Sequence, residues 1–266
     1  GAALKAVERA PVPPLADMRA RMFAVLADRA GVDPPSRGRA PLQLAVEAAA
    51  LLDARADAAA GEVGDGPIHL RLARAWGCDE AAAEMIRRTL VLLADHELNA
   101  STFAARVTAS TGASLAASAL AGLSALSGPL HGGMAPRVWT MVEETRRIGP
   151  EATVAGRLAR GAPVPGFGHP LYSAGDPRAA ALLGAFTPSA EMMALRYSVE
   201  MATGEAPNID FALVALADAL DLPQDAPFAV FAVARCAGWI AHAVEQLQTG
   251  QLIRPRARYT GPPPEP

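Results

Sequence analysis

The chain has 266 residues, enough for one large or two modest domains around a sizeable core. Apolar residues make up 51% and aromatics 5%, so the core must form from small side chains and close helix contacts. Net charge is −3, with no basic cluster interleaved with aromatics, which argues against nucleic-acid binding by this chain. Helix formers dominate and no run of alternating β-branched residues occurs, so the expected class is all-α. Lys5 is the only lysine; every other positive side chain is an arginine, a permanent planar clamp for carboxylates. Cys78 and Cys236 lie in helical patterns without metal spacing and fit a reduced, cytoplasmic setting. The opening "GAALKAVERAP" has no apolar signal-peptide core.

In chain order, "PPSRGRAP" (34–41) reads as a loop, followed by helical patterns at about 41–58, 67–76 and 79–94, with "GEVGDGP" (61–67) as a break. Residues 107–136 carry no charge. They are rich in Ser, Thr and Gly, and Gly112, Gly122 and Gly128 interrupt them, so buried helices near a subunit interface are expected rather than a membrane span. Two helices should fill 100–126, broken near Thr111 and Gly112. A helix should run from "GPLHGG" to about Arg147, and another over 150–160. The Gly/Pro-rich 161–178 cannot be regular structure. It ends in Asp176 and Pro177, a predicted N-cap and first helical residue. Thr187 and Pro188 should open the next helix the same way. Helices are expected at 208–220 and 226–248, and the tail "GPPPEP" should carry no regular structure. There is no internal repeat, heptad pattern, Walker A loop or dinucleotide fingerprint.

Five histidines occur, and three have unusual contexts: His96 in "ADHELNAST", His131 in "GPLHGG" and His169 in "PGFGHPLY". Each could cap loop backbone or face a ligand through the space its glycine and proline neighbours leave. None has metal-ligand spacing, so no metal is expected. Arg235 lies in the apolar "FAVFAVARCAGWIAHAV", where helical spacing places Phe231, Arg235, Trp239 and His242 on one face. A buried arginine needs an anion, either a buried Asp or Glu or a substrate carboxylate. Asp210 follows a predicted Asn208 cap, as a helix-dipole carboxylate or as a base beside an apolar pocket. Arg178 and Arg254, each alone, read as surface arginines.

Together, "DHELNASTFAARVTAST", "LSGPLHGGM", "VPGFGHPLY", "DPRA", "PNIDFAL" and "GWIAHAVEQLQTGQLIRPRARYTGP" resemble, in order, the motifs of the citrate synthase family, over about residues 79–262. The resemblance implies an all-α fold with a large domain (1–131 and 219–266) and a small domain (132–218), paired in an intertwined homodimer. It implies condensation of acetyl-CoA with oxaloacetate, with coenzyme A thioester as co-substrate and no tightly bound cofactor. By the same resemblance, His131 stabilises the enol of the thioester, Asp210 removes the methyl proton and His169 protonates the ketone. His96, Arg178 and Arg235 hold the keto acid, Phe231 lines the site, and Arg254 reaches the site of the other subunit. Pro163, Val164, Pro165, Gly166, Phe167 and Gly168 form the loop that receives the adenine of CoA. Gly132 and Gly133 are expected to clear an approach to His131 at the hinge. Departures such as "HGGM" and "GHPLY", and a short N-terminal region without Met, keep open 2-methylcitrate synthesis, citryl-CoA cleavage and a non-catalytic citrate or CoA binder.

Overall fold

The computed structural model describes residues 11–262; Lys5, the opening stretch up to residue 10 and residues 263–266 lie outside the described residues. The described residues form twelve α-helices and one 3-10 turn, with a single isolated bridge between Phe167 and Pro207 in place of any strand. The helices are α1 (Met18–Val32), α2 (Pro41–Ala60), α3 (Ile68–Ala75), α4 (Glu80–Leu93), α5 (Ala100–Ser110) and α6 (Leu115–Leu126). After the turn Gly132–Met134 come α7 (Ala135–Ile148), α8 (Pro150–Ala159), α9 (Pro177–Leu183), α10 (Ala190–Thr203), α11 (Ile209–Ala219) and α12 (Ala226–Thr249).

Capping chemistry accounts for most boundaries. Asn208 caps α11 by accepting from Asp210 N, and Asp176 caps α9 by accepting from Arg178 N, both as expected. Gly112, at φ +88°, ends the turn after α5, and Ser114 caps α6. Two expectations need correction. The helix after Pro188 starts at Ala190, because Ser189 is the residue whose hydroxyl reaches Met192 N. And α1, in a stretch given no element from sequence, is a full helix capped by Asp17, with Met22, Val25, Leu26 and Arg29 buried at helical spacing.

Two hydrophobic clusters organise the molecule. The first gathers α1 to α6 around α12, together with Ala179 and Leu182 of α9. The second joins α7, α8 and α10 through Val138, Met141, Val142, Val154, Met192, Leu195 and Val199. Helix α11 belongs to both: Ile209, Ala212, Leu213 and Leu216 face the first, while Phe211, Val214, Ala215 and Ala217 face the second. It is therefore apolar all round, and only its ends meet solvent or a cavity.

Helix α12 is the one described helix long and apolar enough to cross a membrane, and most of that apolar window is buried inside the protein. Its close packing depends on a glycine in a neighbouring helix. A Cβ on Gly122 of α6 would stand 2.6 Å from Trp239 Cδ2, and Trp239 has no exposed surface. Gly122→Ala should therefore destabilise the protein by about 1–3 kcal/mol through overpacking. Gly31→Ala, in α1 with nothing within 4 Å of its would-be Cβ, should leave the thermal midpoint unchanged or raised. Thermal denaturation of the two variants checks the contrast.

Candidate active site

The seam between the two clusters opens into a cavity of about 580 Å³. Six segments supply its walls. The loop after α4 brings His96 and Asn99; the turn before α7 brings His131 and Met134; the irregular 160–176 stretch brings Phe167, Gly168 and His169. Arg178 comes from α9, Asp210 from α11, and Phe231 and Arg235 from α12. Leu98, Leu130 and Leu171 stand exposed at its rim, Leu130 at 91%.

The loop after α4 is pinned to α12. Leu93 O accepts from Arg235 Nε at 2.8 Å, and Asp95 Oδ1 meets His242 Nε2 at 3.1 Å. Glu97 then takes φ +53°, a left-handed conformation unusual for its residue type, right beside His96. His131 precedes a tight turn in which Gly128 O accepts from His131 N and Gly133 N. A Cβ on Gly133 would lie 2.6 Å from Ser127 O, and one on Gly132 would lie 2.6 Å from Leu126 Cδ1. The two glycines thus make room for their own chain, a requirement separate from any approach to His131.

Arg235 has no exposed surface, and its partner is neither Asp nor Glu: no described acidic side chain pairs with it. Nη1 and Nη2 are buried without a hydrogen bond, and Cζ lies 5.1 Å from the Phe231 ring centroid. Burial, then the charge of Arg178, lowers its pKa to about 10, so it stays cationic at neutral pH. Arg178 is held differently, Nε and Nη2 donating to the two Asp176 oxygens at 3.0 and 2.8 Å. Burial works to raise the Asp176 carboxyl, but the bonds and charge of Arg178 outweigh it and hold it below its ordinary value.

His96, His131 and His169 are uncharged at neutral pH. Burial, then Arg178 and Arg235, lowers His96 to about 4. Burial, then Arg235, lowers His131 to about 4, and burial with Arg178 also lowers His169. His169 Nδ1 accepts from Leu171 N at 3.1 Å, so in the neutral ring the proton sits on Nε2. His96 Nε2 lies 2.8 Å from Tyr172 Oη, and the Tyr172 ring lies 4.7 Å from that of His169. Desolvation raises Asp210 to about 7 despite the opposing pull of Arg178. The cavity therefore combines two cations, neutral imidazole donors and a carboxyl poised to exchange a proton near neutrality.

His96, His131, His169, Arg178, Asp210, Phe231 and Arg235 converge here as the sequence suggested. Of residues 163–168 only Phe167 and Gly168 line the cavity; Pro165 and Gly166 are buried behind it, and Pro163 is exposed. Arg254 is exposed on the segment after α12 and is not a lining residue. Sequence reasoning missed Ser101, whose Oγ lies 2.9 Å from His131 Nε2, and Tyr172 behind His96. It also missed that Asp176 Oδ2 accepts from Ile209 N at 3.1 Å, tying the start of α9 to the start of α11. Only the Asp-Pro cap signal pointed towards Asp176.

Because Arg235 is a buried cation without an anion, Arg235→Met should leave the protein as stable or more stable. The same change should weaken binding of small dicarboxylates at least about tenfold, through loss of charge-assisted hydrogen bonds. Thermal melts and calorimetric titration read the two effects separately.

Residues 5–256 match the family model described as "Citrate synthase, C-terminal domain". The chain is 40% identical over 195 residues to a citrate synthase of Haloferax volcanii, a match covering 69% of this chain and 52% of that protein. It spans about half the length of the curated relatives it matches. Its fold is similar to that of citrate synthase from Thermoplasma acidophilum in ternary complex with carboxymethyl coenzyme A and oxaloacetate (TM-score 0.79, 25% identity, 96% of this chain and 75% of that one). It is also similar to citryl-CoA lyase from Hydrogenobacter thermophilus (TM-score 0.67, 26% identity, 77% of this chain and 88% of that one). With a family model matched over nearly its whole length and an all-α architecture shared with those structures, the chain belongs to the citrate synthase family.

Proposed function

We propose that the cavity condenses acetyl-CoA with oxaloacetate to give citrate and CoA. The observation that carries this reading is the pair of unsatisfied Arg235 amino groups in a cavity that also holds neutral His131 and Asp210, whose carboxyl titrates near 7. The orphan guanidinium fits a carboxylate of the keto acid, with Arg178 and His96 taking its other oxygen atoms. Asp210 removes a methyl proton from the thioester. A free carboxylate is too weak a base for that step unless the developing oxyanion is stabilised at the same time. His131 supplies the hydrogen bond to the thioester oxygen, and burial keeps it a neutral donor. The enol carbon then attacks the ketone, whose oxygen takes the proton from His169 Nε2. Water finally cleaves the citryl thioester, releasing citrate and CoA.

Within this reading, residues 132–218 act as the small domain that closes on the large one, excluding water during the reaction. The loop of residues 163–168 receives the adenine, and Arg254 completes the cavity of a second copy in a homodimer.

Incubation with acetyl-CoA and oxaloacetate should release free thiol, and propionyl-CoA, pyruvate and citryl-CoA serve as parallel arms. Thiol release with propionyl-CoA alone would move the assignment to 2-methylcitrate synthesis. Cleavage of citryl-CoA without condensation would move it to the lyase. Binding of citrate without any turnover would end the enzymatic reading. Asp210→Asn should abolish turnover while sparing keto-acid binding. Since the base must be ionised, kcat/KM should fall as pH drops through about 7. The dimer role of Arg254 has its own test. Asp210→Asn and Arg254→Ala chains, each inactive alone, should regain activity when refolded together, because one hybrid site then holds both native side chains.

A further inference from the structure

We infer that Trp239 is a positioning residue for His131, acting through the hydroxyl of Ser101. The inference rests on the role proposed above for His131, and its geometry stands independently. Phe231, Arg235 and Trp239 follow one another at four-residue spacing on α12, so one face of the helix serves three parts of the site. Phe231 meets the His131 ring edge-on at 6.1 Å between centroids. Trp239 lies one turn beyond Arg235, and its Nε1 donates to Ser101 Oγ at 3.1 Å. Ser101 Oγ in turn lies 2.9 Å from His131 Nε2. Ser101 and Trp239 are both fully buried, so water does not compete for the bond between them. Trp76 and Trp139 have indole nitrogen atoms without any partner, so the Trp239 bond is not a routine consequence of burying an indole.

Proton counting gives the bond its consequence. An indole N–H can only donate, so it occupies one Ser101 lone pair permanently. One proton and one lone pair remain: the proton goes either to Asn99 Oδ1, 2.7 Å away, with His131 Nε2–H then donating to Oγ, or to His131 Nε2 itself. Asn99 Oδ1 already accepts from the backbone N–H groups of Ser101 and Thr102. The hydroxyl is left with two settings, each coupled to one tautomer of His131. Donation from His131 Nδ1 into the cavity requires the Ser101 proton on Nε2. Without the indole N–H, Ser101 has a spare lone pair and further rotations open to it, and the imidazole loses its fixed partner.

Trp239→Phe keeps the ring and removes the donor. It should lower kcat with acetyl-CoA and oxaloacetate about three- to tenfold, the worth of one neutral hydrogen bond, with KM for oxaloacetate unchanged. Ser101→Ala should also lower kcat, and adding Trp239→Phe to it should cost nothing more. In protein labelled with 15N-histidine, the His131 ring resonances should move in Trp239→Phe, a readout that needs no turnover. If wild-type protein releases no thiol, the proposed reaction fails while the resonance shift still decides the role of Trp239. A kcat within twofold of wild type with unmoved His131 resonances would overturn the inference, as would independent, multiplicative losses in the double variant. Should Trp239→Phe not fold, the Trp239 indole 15N–H resonance in Ser101→Ala decides: it must shift if the bond exists, and its constancy rejects the proposal.

Discussion

The buried guanidinium of Arg235 is the constraint around which the site is arranged. One nitrogen is satisfied by Leu93 O, which fixes α12 against the end of α4; the other two face a cavity with nothing to bond. A cation held in the core without an ion-pair partner is costly, and among the described residues only the charge of Asp95, which makes no bond to it, relieves it in part. Its neighbours are tuned by the same field. The charges of Arg235 and Arg178 add to burial in keeping His96 and His131 neutral. Placing that charge required α12 to lie close to its neighbours, which Gly122 permits on the α6 side.

A second constraint is the single helix shared by the two clusters. Helix α11 has apolar residues on both sides, so its first turn, carrying Asp210, is fixed where the clusters meet. Asp176 braces the same point from α9, accepting from Ile209 N while gripping Arg178. The carboxylate that orients a cavity arginine therefore also orients the helix bearing the proposed base. In the proposed reaction, keto-acid binding and proton abstraction would depend on one buried side chain that touches neither reactant.

Much of this was legible in sequence because it rests on local rules. Asn208, Asp176 and Gly112 mark boundaries through caps and a left-handed turn, and the apolar α12 announced a buried arginine before any partner was known. What escaped was non-local or was misread locally. Ser101 and Trp239 are 138 positions apart, and nothing in either neighbourhood predicts their bond. The glycines after His131 could be noticed as bare, but only the packed turn reveals that they accommodate Ser127 and Leu126. Helix α1 carries its buried residues at helical spacing between a Pro-rich approach and a following Gly/Pro loop. Arg254 lies on an exposed segment, and the role proposed for it depends on a second copy of the chain rather than on contacts within this one.

The site also carries opposing pH dependences for folding. His96 and His131 have folded pKa values below the unfolded one, so between about 6.5 and 4 the unfolded chain binds protons that the folded protein does not. Stability from these groups is lost as pH falls through that window. Asp210 works the other way: between 3.8 and about 7 the folded protein keeps a proton that the unfolded chain releases, and stability is lost as pH rises. At neutral pH the histidine penalty is absent, whereas the cost of ionising Asp210 and burying Arg235 is present. Helix packing in the two clusters must offset that cost. A cavity that filled with an anion would neutralise Arg235, and the same field that holds the histidines neutral would weaken with it. Ligand binding and proton affinity at this site are therefore coupled through one buried charge, with no need for a distant element to carry the signal.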